Sequence, residues 1–209
     1  GVQTCALPIY AAGAEHCHTD PYSFLTQLAP FDLHCFAEGT HRHAQSFLGA
    51  HPLTVDGVTG VRFAVWAPNA QGVGVTGTFN AWDASFHPLR RDGVSGVWQL
   101  FVPGAGPGDQ YKFVLTTHAG ERLEKSDPYG RRFELRPNTA AIVEADSQYP
   151  WTDSHWLAER RTNRWGHQPM SVYEVHLGSW RRAGDGGFLG YRELAHQLVA
   201  HVSSQIGRA

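Results

Sequence analysis

The sequence predicts a mainly β protein, an immunoglobulin-like antiparallel β-sandwich followed by one strand–helix unit. Short segments with alternating apolar residues recur between residues 51 and 146, and turn residues separate them. Glycine (23 residues) and proline (12 residues) are frequent, which favours turns over long helices. Near the C-terminus a continuous apolar segment precedes an amphipathic one, which is the order of a βα unit.

The strands of the sandwich are predicted from period-two alternation. In GVRFAVWAP, Val61, Phe63 and Val65 share one face. The segments GVGVTG, SGVWQLFVPG and NTAAIVEA predict further strands. DQYKFVLTTHAGERL predicts a hairpin whose turn lies near residues 118–120. Short strands at this spacing are typical of a sandwich of about 100 residues.

The C-terminal segments predict a strand and then a helix. MSVYEVHLGSW, residues 170–180, has few polar gaps and predicts a strand that is buried on both faces. YRELAHQLVAHV predicts a helix with an apolar stripe formed by Tyr191, Leu194, Leu198, Val199 and Val202. The polar segment before them contains Trp151, Trp156 and Trp165, which we expect at a seam between the sandwich and the next domain.

Composition excludes several classes of function. Lys plus Arg number 17 and Asp plus Glu 19, so the charge gives no reason to expect nucleic acid or an anionic membrane as partner. No apolar run approaches the roughly 18 residues of a membrane span. Cys5, Cys17 and Cys35 form no disulfide framework and no secretory signal is visible, which favours the cytoplasm. His16–His18 and His41–His43 lack a second half at zinc-site spacing, so we predict no metal and no cofactor.

The two ends of the chain, residues 1–15 and 205–209, are predicted to be non-native and disordered. GCT CTT CCG ATC encodes Ala6–Ile9. The reverse complement of that stretch with one further T, preceded by C, encodes Gln205–Ala209. One short DNA duplex, which resembles a sequencing-library adapter, can therefore encode both ends when it is read on opposite strands. Segments of this kind are excluded from the prediction of the fold. The alternative is a coincidence among degenerate codons.

The segment GTFNAWD, residues 77–83, has the chemistry of a sugar site. A sugar ring stacks its apolar face on an aromatic ring while amides and charges bind its hydroxyls. Trp82 with Asn80, Asp83 and Lys112 offers these groups. The alternative is that Trp82 packs on its own sandwich as an anchor of the loop, because aromatic side chains bury large areas readily.

Nine short motifs follow one another along the chain: DPYSFL at Asp20–Leu25, FDLHCFAEGTH at Phe31–His41, LGAHP at Leu48–Pro52, GVRFAVWAPNA at Gly60–Ala70, GTFNAWD at Gly77–Asp83, SGVWQLFVPG at Ser95–Gly104, YKF at Tyr111–Phe113, DPYG at Asp127–Gly130 and PMSVYEVHLGSWRR at Pro169–Arg182. Together they resemble glycogen branching enzymes (1,4-α-glucan branching enzymes) over nearly all of residues 20–204. The β-rich part resembles a family-48 carbohydrate-binding module.

The resemblance implies a domain organisation. Residues 16–50 would be the end of an N-terminal extension, 51–146 the module, 147–169 a linker, and 170–204 the first βα unit of an incomplete (β/α)8 barrel. Such a barrel needs about 250 residues, and residues 170–209 supply 40, about one repeat in eight.

The resemblance also implies site residues. In glucan-binding modules of this type, the Trp of the FN-x-W loop and the Lys of YKF contact sugar, which points to Trp82 and Lys112, with Asn80 beside them. A second aromatic platform is not evident, because Arg122 and Leu123 stand where a Trp would be needed. The competing role is structural, with the module packing on the barrel.

The implied reaction is the formation of α-1,6 branches by transfer of α-1,4-glucan segments. Retention needs a nucleophile and an acid/base carboxylate about 5–5.5 Å apart. In the family these carboxylates come from later barrel strands, so we predict no catalytic residue in this chain and no activity of the fragment. Glu174 lies on the predicted first strand and is expected to be structural.

The implied partners are an α-glucan (glycogen or a starch-like polysaccharide) and the missing barrel of the parent chain. One alternative is a stand-alone α-glucan-binding module. Another is a fragment of a related debranching or trehalose-releasing hydrolase. AEGTH and HLGSWRR favour branching over both hydrolases.

Overall fold

The computed structural model describes residues 19–25, 28–169 and 171–206. The chain forms two compact units, Gly1–Ser147 and Gln148–Ala209. The predicted non-native segment 1–15 and the histidines of His16–His18 lie outside the described residues.

The first unit consists of two antiparallel sheets. Its strands are β1 (Gly49–Val55), β2 (Val58–Trp66), β3 (Gly72–Gly77), β4 (Arg90–Arg91), β5 (Val97–Pro103), β6 (Gln110–Thr116), β7 (Arg122–Lys125), β8 (Arg132–Phe133) and β9 (Ala141–Ile142). One sheet has the order β1-β2-β5-β4, and the other β3-β6-β9-β8 with β7 paired to β6. The mainly antiparallel β architecture predicted from the alternation is confirmed.

The core lies between the two sheets. Val61, Phe63 and Val65 of β2 point into it, as the alternation predicts. The ring of Phe63 has an exposed fraction of 0% and lies 4.9 Å from the ring of Tyr111 and 5.3 Å from that of Phe79, measured between centroids. Residues of both sheets therefore share one apolar layer, which makes the unit a sandwich.

The segment before β1 covers the outer face of the first sheet. Its helix α1 (Pro30–Ala37) begins with proline, which is favoured at the first helical position. Leu48 is packed with Ala64 of β2 and Val97 of β5. Phe24 meets Phe101 edge to face, with ring centroids 4.8 Å apart. This sheet consequently has apolar contacts on both faces.

A buried polar pair ties β6 to the turn that follows β7. The hydroxyl of Tyr111 donates a hydrogen bond to the Asp127 carboxylate, which also accepts one from the Tyr129 backbone N–H at 2.8 Å. Burial raises the pKa of the Asp127 carboxyl and also that of the Tyr111 hydroxyl. The DPYG motif therefore contains a buried carboxyl group whose protonated, neutral form is the cheaper one to bury.

Asp127→Asn is expected to change how stability depends on pH. Because the pKa of Asp127 is raised in the folded chain, the folded state binds more protons than the unfolded state between the unfolded pKa of about 3.8 and the raised folded pKa. The contribution of this carboxyl to the free energy of unfolding therefore falls as pH rises through that window. In urea unfolding, the free energy of the native chain minus that of the variant should be larger at pH 4.5 than at pH 7.5.

The matched control is Asp56→Asn, at an exposed turn position whose left-handed backbone asparagine adopts readily. The difference in free energy of unfolding between the native chain and this variant should not decrease with pH in this way. A difference for Asp127→Asn that stays constant or grows with pH would contradict the assignment.

The second unit is helical in its described part. It contains α2 (Ser154–Thr162), α3 (Leu177–Trp180) and α4 (Tyr191–Ile206). Helix α4 confirms the predicted helix, and Leu194 of its apolar stripe is buried. It ends two residues beyond Ser204, so Gln205 and Ile206 of the predicted tail are helical. Residues 207–209 lie outside the described part.

The strand predicted at residues 170–180 is not formed. Residues 171–176 have no regular secondary structure, and Leu177–Trp180 form a helical turn. The physical reason is that a strand of a parallel barrel takes its backbone hydrogen bonds from two neighbouring strands. Among the described residues of this unit there is only one isolated β-bridge, between Arg182 and Phe188. The helix of the predicted βα unit is thus present without its strand.

No helix within the described ranges is long and apolar enough to cross a membrane. The same ranges contain no group of three or more His, Cys, Asp or Glu side chains placed to hold a metal ion.

Candidate carbohydrate-binding site

The loop that carries Trp82 leaves β3 at Gly77 and has an uncommon backbone. After a 3-10 turn at Thr78–Asn80, Ala81 and Trp82 both adopt left-handed backbone angles, with φ of 51° and 62°. The Trp82 N–H donates to the Gly77 carbonyl oxygen at 2.9 Å. Left-handed backbone at two successive residues with side chains costs on the order of 1–3 kcal/mol each and persists only where surrounding contacts impose it.

The side chain of Asn80 imposes part of this geometry. Asn80 is buried, and its Oδ1 accepts from the Gly77 N–H at 2.8 Å. Its Nδ2 donates to the Val75 carbonyl oxygen at 3.0 Å and lies 2.9 Å from Nδ1 of His87. Both ends of the amide are therefore engaged inside the loop and do not face outwards.

The return of the loop is also fixed on β3. The Val75 N–H donates to the His87 carbonyl oxygen at 3.1 Å, and the Leu89 N–H donates to the Val73 carbonyl oxygen at 2.7 Å. The segment from Gly77 to His87 thus leaves β3 at one end and is hydrogen-bonded back to β3 at the other.

Trp82 itself is partly open to solvent. Its side chain is 44% exposed and lies outside the apolar clusters that the described residues of the first unit form. A Trp that served only to anchor the loop would be buried more completely. The ring is therefore available for stacking.

Lys112 lies on the outer face of the second sheet. Its neighbours along β6, Tyr111 and Phe113, point into the core, so Lys112 points the other way. In register it stands opposite Thr76 of β3, and its ammonium group lies 3.5 Å from the Glu124 carboxylate. The side chain is 22% exposed.

The backbone brings Trp82 and Lys112 to one end of this sheet. Trp82 is hydrogen-bonded to Gly77, Gly77 pairs with Tyr111, and Lys112 follows Tyr111. Next to them, Thr76 is buried, and its hydroxyl oxygen has no hydrogen-bond partner. An aromatic face, a cation and a hydroxyl thus lie within a few residues of each other.

Asp83 follows Trp82 on the rim of the loop. Its side chain accepts from the Ser85 N–H at 2.8 Å and caps the turn at Ala84–Phe86. The hydrogen bonds from Ser85 lower the pKa of the Asp83 carboxyl, and the charge of Arg122 lowers it further. Asp83 therefore places a carboxylate beside Trp82, and Arg122 on β7 is close enough to act on its charge.

The sequence did not single out His87 or Thr76. His87 has no motif or spacing that distinguishes it among the thirteen histidines. Thr76 is one of several residues of an alternating strand, and its unpaired hydroxyl becomes visible only in the folded register. Glu174 is exposed, and His176 beside it bonds Ser179 locally, with Nδ1 2.8 Å from Oγ.

Comparison with known proteins gives a family match for part of the chain and matches to longer enzymes. Residues 47–130 match carbohydrate-binding module 48 (isoamylase N-terminal domain). The chain is 52% identical over 193 residues to the 1,4-alpha-glucan branching enzyme GlgB of Methylococcus capsulatus, covering 92% of this chain and 26% of the relative. It is 53% identical over 186 residues to the GlgB of Cellvibrio japonicus, covering 88% of this chain and 25% of the relative.

The chain therefore spans about a quarter of the length of the curated relatives it matches. A crystal structure of a putative alpha amylase from Salmonella typhimurium, 28% identical, superposes with a TM-score of 0.39 and covers 52% of this chain and 16% of that one. Residues 47–130 are thus similar to carbohydrate-binding module 48, and most of the chain is more than half identical to about a quarter of the length of two 1,4-alpha-glucan branching enzymes.

Proposed function

We propose that the first unit binds α-1,4-glucan through Trp82 and Lys112. The observation that carries the proposal is the partly exposed Trp82 ring, held on a left-handed backbone at the sheet end where Lys112 lies. Stacking on the ring binds the apolar face of a sugar, and the ammonium group donates to its hydroxyls. Asn80, which the sequence placed at the sugar, positions the loop instead, because its amide is engaged within it.

We propose further that this unit belongs to a 1,4-α-glucan branching enzyme. The enzyme would transfer α-1,4-glucan segments to form α-1,6 branches by a retaining mechanism. The identity to GlgB enzymes supports this, and the catalytic carboxylates would lie in the parts of those longer proteins that this chain does not match. The three scattered cysteines favour a cytoplasmic location for it.

The second unit supports a longer parent protein over a free-standing module. It exposes large apolar side chains, with Val172 84%, Phe188 74% and Tyr191 82% exposed. Apolar groups on this scale mark a surface that another part of a protein covers. A catalytic barrel is the partner we propose for them.

Trp82→Ala is expected to remove most of the binding to glucan. Loss of the stacking ring should weaken affinity by about tenfold or more, because one aromatic platform supplies most of the apolar contact. Affinity electrophoresis of the 209-residue chain in gels with and without glycogen measures this. The native chain should be retarded by glycogen, and the variant should not.

The control for this experiment is Trp151→Ala, which removes an equally large ring that is 74% exposed in the second unit. Its retardation should equal that of the native chain. Equal migration of native chain and Trp82→Ala would contradict the binding role and favour a structural one.

The 209-residue chain is expected to show no branching activity. Retaining transfer requires two carboxylates on either side of the scissile bond, and these would lie in the three quarters of the longer relatives that this chain does not match. Iodine absorbance and an α-1,6-linkage assay with amylose should both stay at background. Turnover above the level of a heat-treated sample would refute this.

A further inference from the structure

The hydrogen bonds of Asn80 determine the protonation state of His87. The Asn80 Oδ1 is identified by the Gly77 N–H that donates to it, and the Nδ2 by the Val75 carbonyl oxygen that accepts from it. The Nδ2 can therefore only donate to the third partner, Nδ1 of His87, at 2.9 Å. His87 is thus neutral in this arrangement, with its proton on Nε2.

The backbone that carries the His87 ring is fixed on β3. The backbone on either side is bonded to β3, through the His87 carbonyl oxygen and the Leu89 N–H. The rings of Phe79 and His87 pack edge to face, with their centroids 5.6 Å apart. In this arrangement a proton on Nδ1 of His87 would point at the Asn80 NH2 group. Two hydrogen-bond donors would then face each other, and the hydrogen bond would be lost.

Asn80 in turn holds the peptide on which Trp82 depends. It binds the Gly77 N–H, and the carbonyl oxygen of Gly77 accepts from the Trp82 N–H. We propose that His87 is a positioning residue for Trp82: its unprotonated Nδ1 holds the Asn80 amide, and protonation of that nitrogen releases the loop and weakens glucan binding. This inference rests on the proposed role of Trp82 in binding glucan.

The other ionisable groups near the loop leave His87 neutral near pH 7. The ionisable groups around the loop are Asp83 in the loop itself, Asp109, which accepts from the Thr78 hydroxyl, Tyr22, whose hydroxyl donates to the Pro88 carbonyl oxygen, Lys112 on β6, Arg122 on β7 and Arg90 on β4. Among the described groups none shifts the pKa of His87, which burial alone lowers. The neutral ring is therefore favoured near pH 7, and protonation sets in on the acid side of its ordinary value of 6.5.

The first test measures affinity for maltoheptaose by calorimetry at pH 7.5 and pH 5.0. The native chain should bind more weakly at pH 5.0, by about three- to tenfold once His87 is protonated, the factor that corresponds to one lost hydrogen bond. His87→Asn keeps an acceptor near the position of Nδ1 but cannot be protonated, so its affinity should not fall between the two pH values. His118→Asn, at the exposed tip of the β6–β7 hairpin, should retain the native pH profile.

The second test reads the ring directly. In nitrogen-15 NMR of the native chain, His87 should show the Nε2–H tautomer at pH 7.5, and its protonation should move the Trp82 backbone amide signal. An Nδ1–H tautomer, or parallel affinity profiles for the native chain and His87→Asn, overturns the proposal. If maltoheptaose does not bind at any pH, the proposed function fails, and the NMR titration alone decides whether His87 positions Trp82.

Discussion

Phe63→Ala is expected to lower the free energy of unfolding of the first unit by about 3–5 kcal/mol, the usual cost of deleting a buried phenylalanine ring. Phe63 is fully buried between the two sheets and packs against the rings of Tyr111 and Phe79. Small domains are stable by only about 5–15 kcal/mol, so this single change removes a large share of the stability and approaches the lower end of that range. Urea unfolding followed by circular dichroism measures it.

The matched control is Phe86→Ala, which removes the same ring from a position that is 64% exposed. Its effect should stay within about 0.5 kcal/mol. Phe79 is packed against Phe63 and also lies in the Trp82 loop, so Phe63→Ala should weaken glucan binding as well. Similar losses of stability in the two variants would show that the core is not where the structure places it.

Gly77→Ala is expected to be the most damaging small change near the candidate site. A Cβ at this position would lie 2.2 Å from the Gln110 carbonyl oxygen and 2.7 Å from the Phe79 ring. The first neighbour is backbone of β6 and cannot move aside without disturbing the sheet. Overpacking of this kind costs about 1–3 kcal/mol, and Trp82, which is bonded to Gly77, should lose affinity for glucan.

Gly72→Ala is the control on the same strand. Its nearest neighbour is the Thr116 side chain at 3.9 Å, an ordinary contact distance. Thermal unfolding should therefore show a change of less than about 0.5 kcal/mol, with native glucan affinity. A tolerated Gly77→Ala would mean that the close approach of Gly77 to β6 does not exist in solution.

The elements that the sequence predicted well depend on local pattern. The alternation of Val61, Phe63 and Val65 is visible in nine residues, and it requires one inward face whichever strand lies next to it. Residues 171–176 show the limit of such reasoning. They have the apolar continuity of a barrel strand, yet a strand exists only with hydrogen-bonded neighbours, and no local pattern supplies those.

Local sequence pattern also identified only some residues of the candidate site. Trp82 and Lys112 were identified through motifs, and the register places them at one end of the sheet. Asn80 was expected at the sugar because an amide suits a sugar hydroxyl as well as a backbone group. Only the folded loop shows which of the two it binds, and only there does His87 become its partner.

The closure of the Trp82 loop on β3 has a consequence for the thermodynamics of recognition. The segment from Gly77 to His87 is bonded to the same strand at both ends, so its conformational entropy is lost when the chain folds and not when a ligand arrives. Ordering a free loop on association would cost about 0.5–1.5 kcal/mol for each immobilised side chain. A flexible polysaccharide that docks here would lose its own freedom while the protein surface loses almost none.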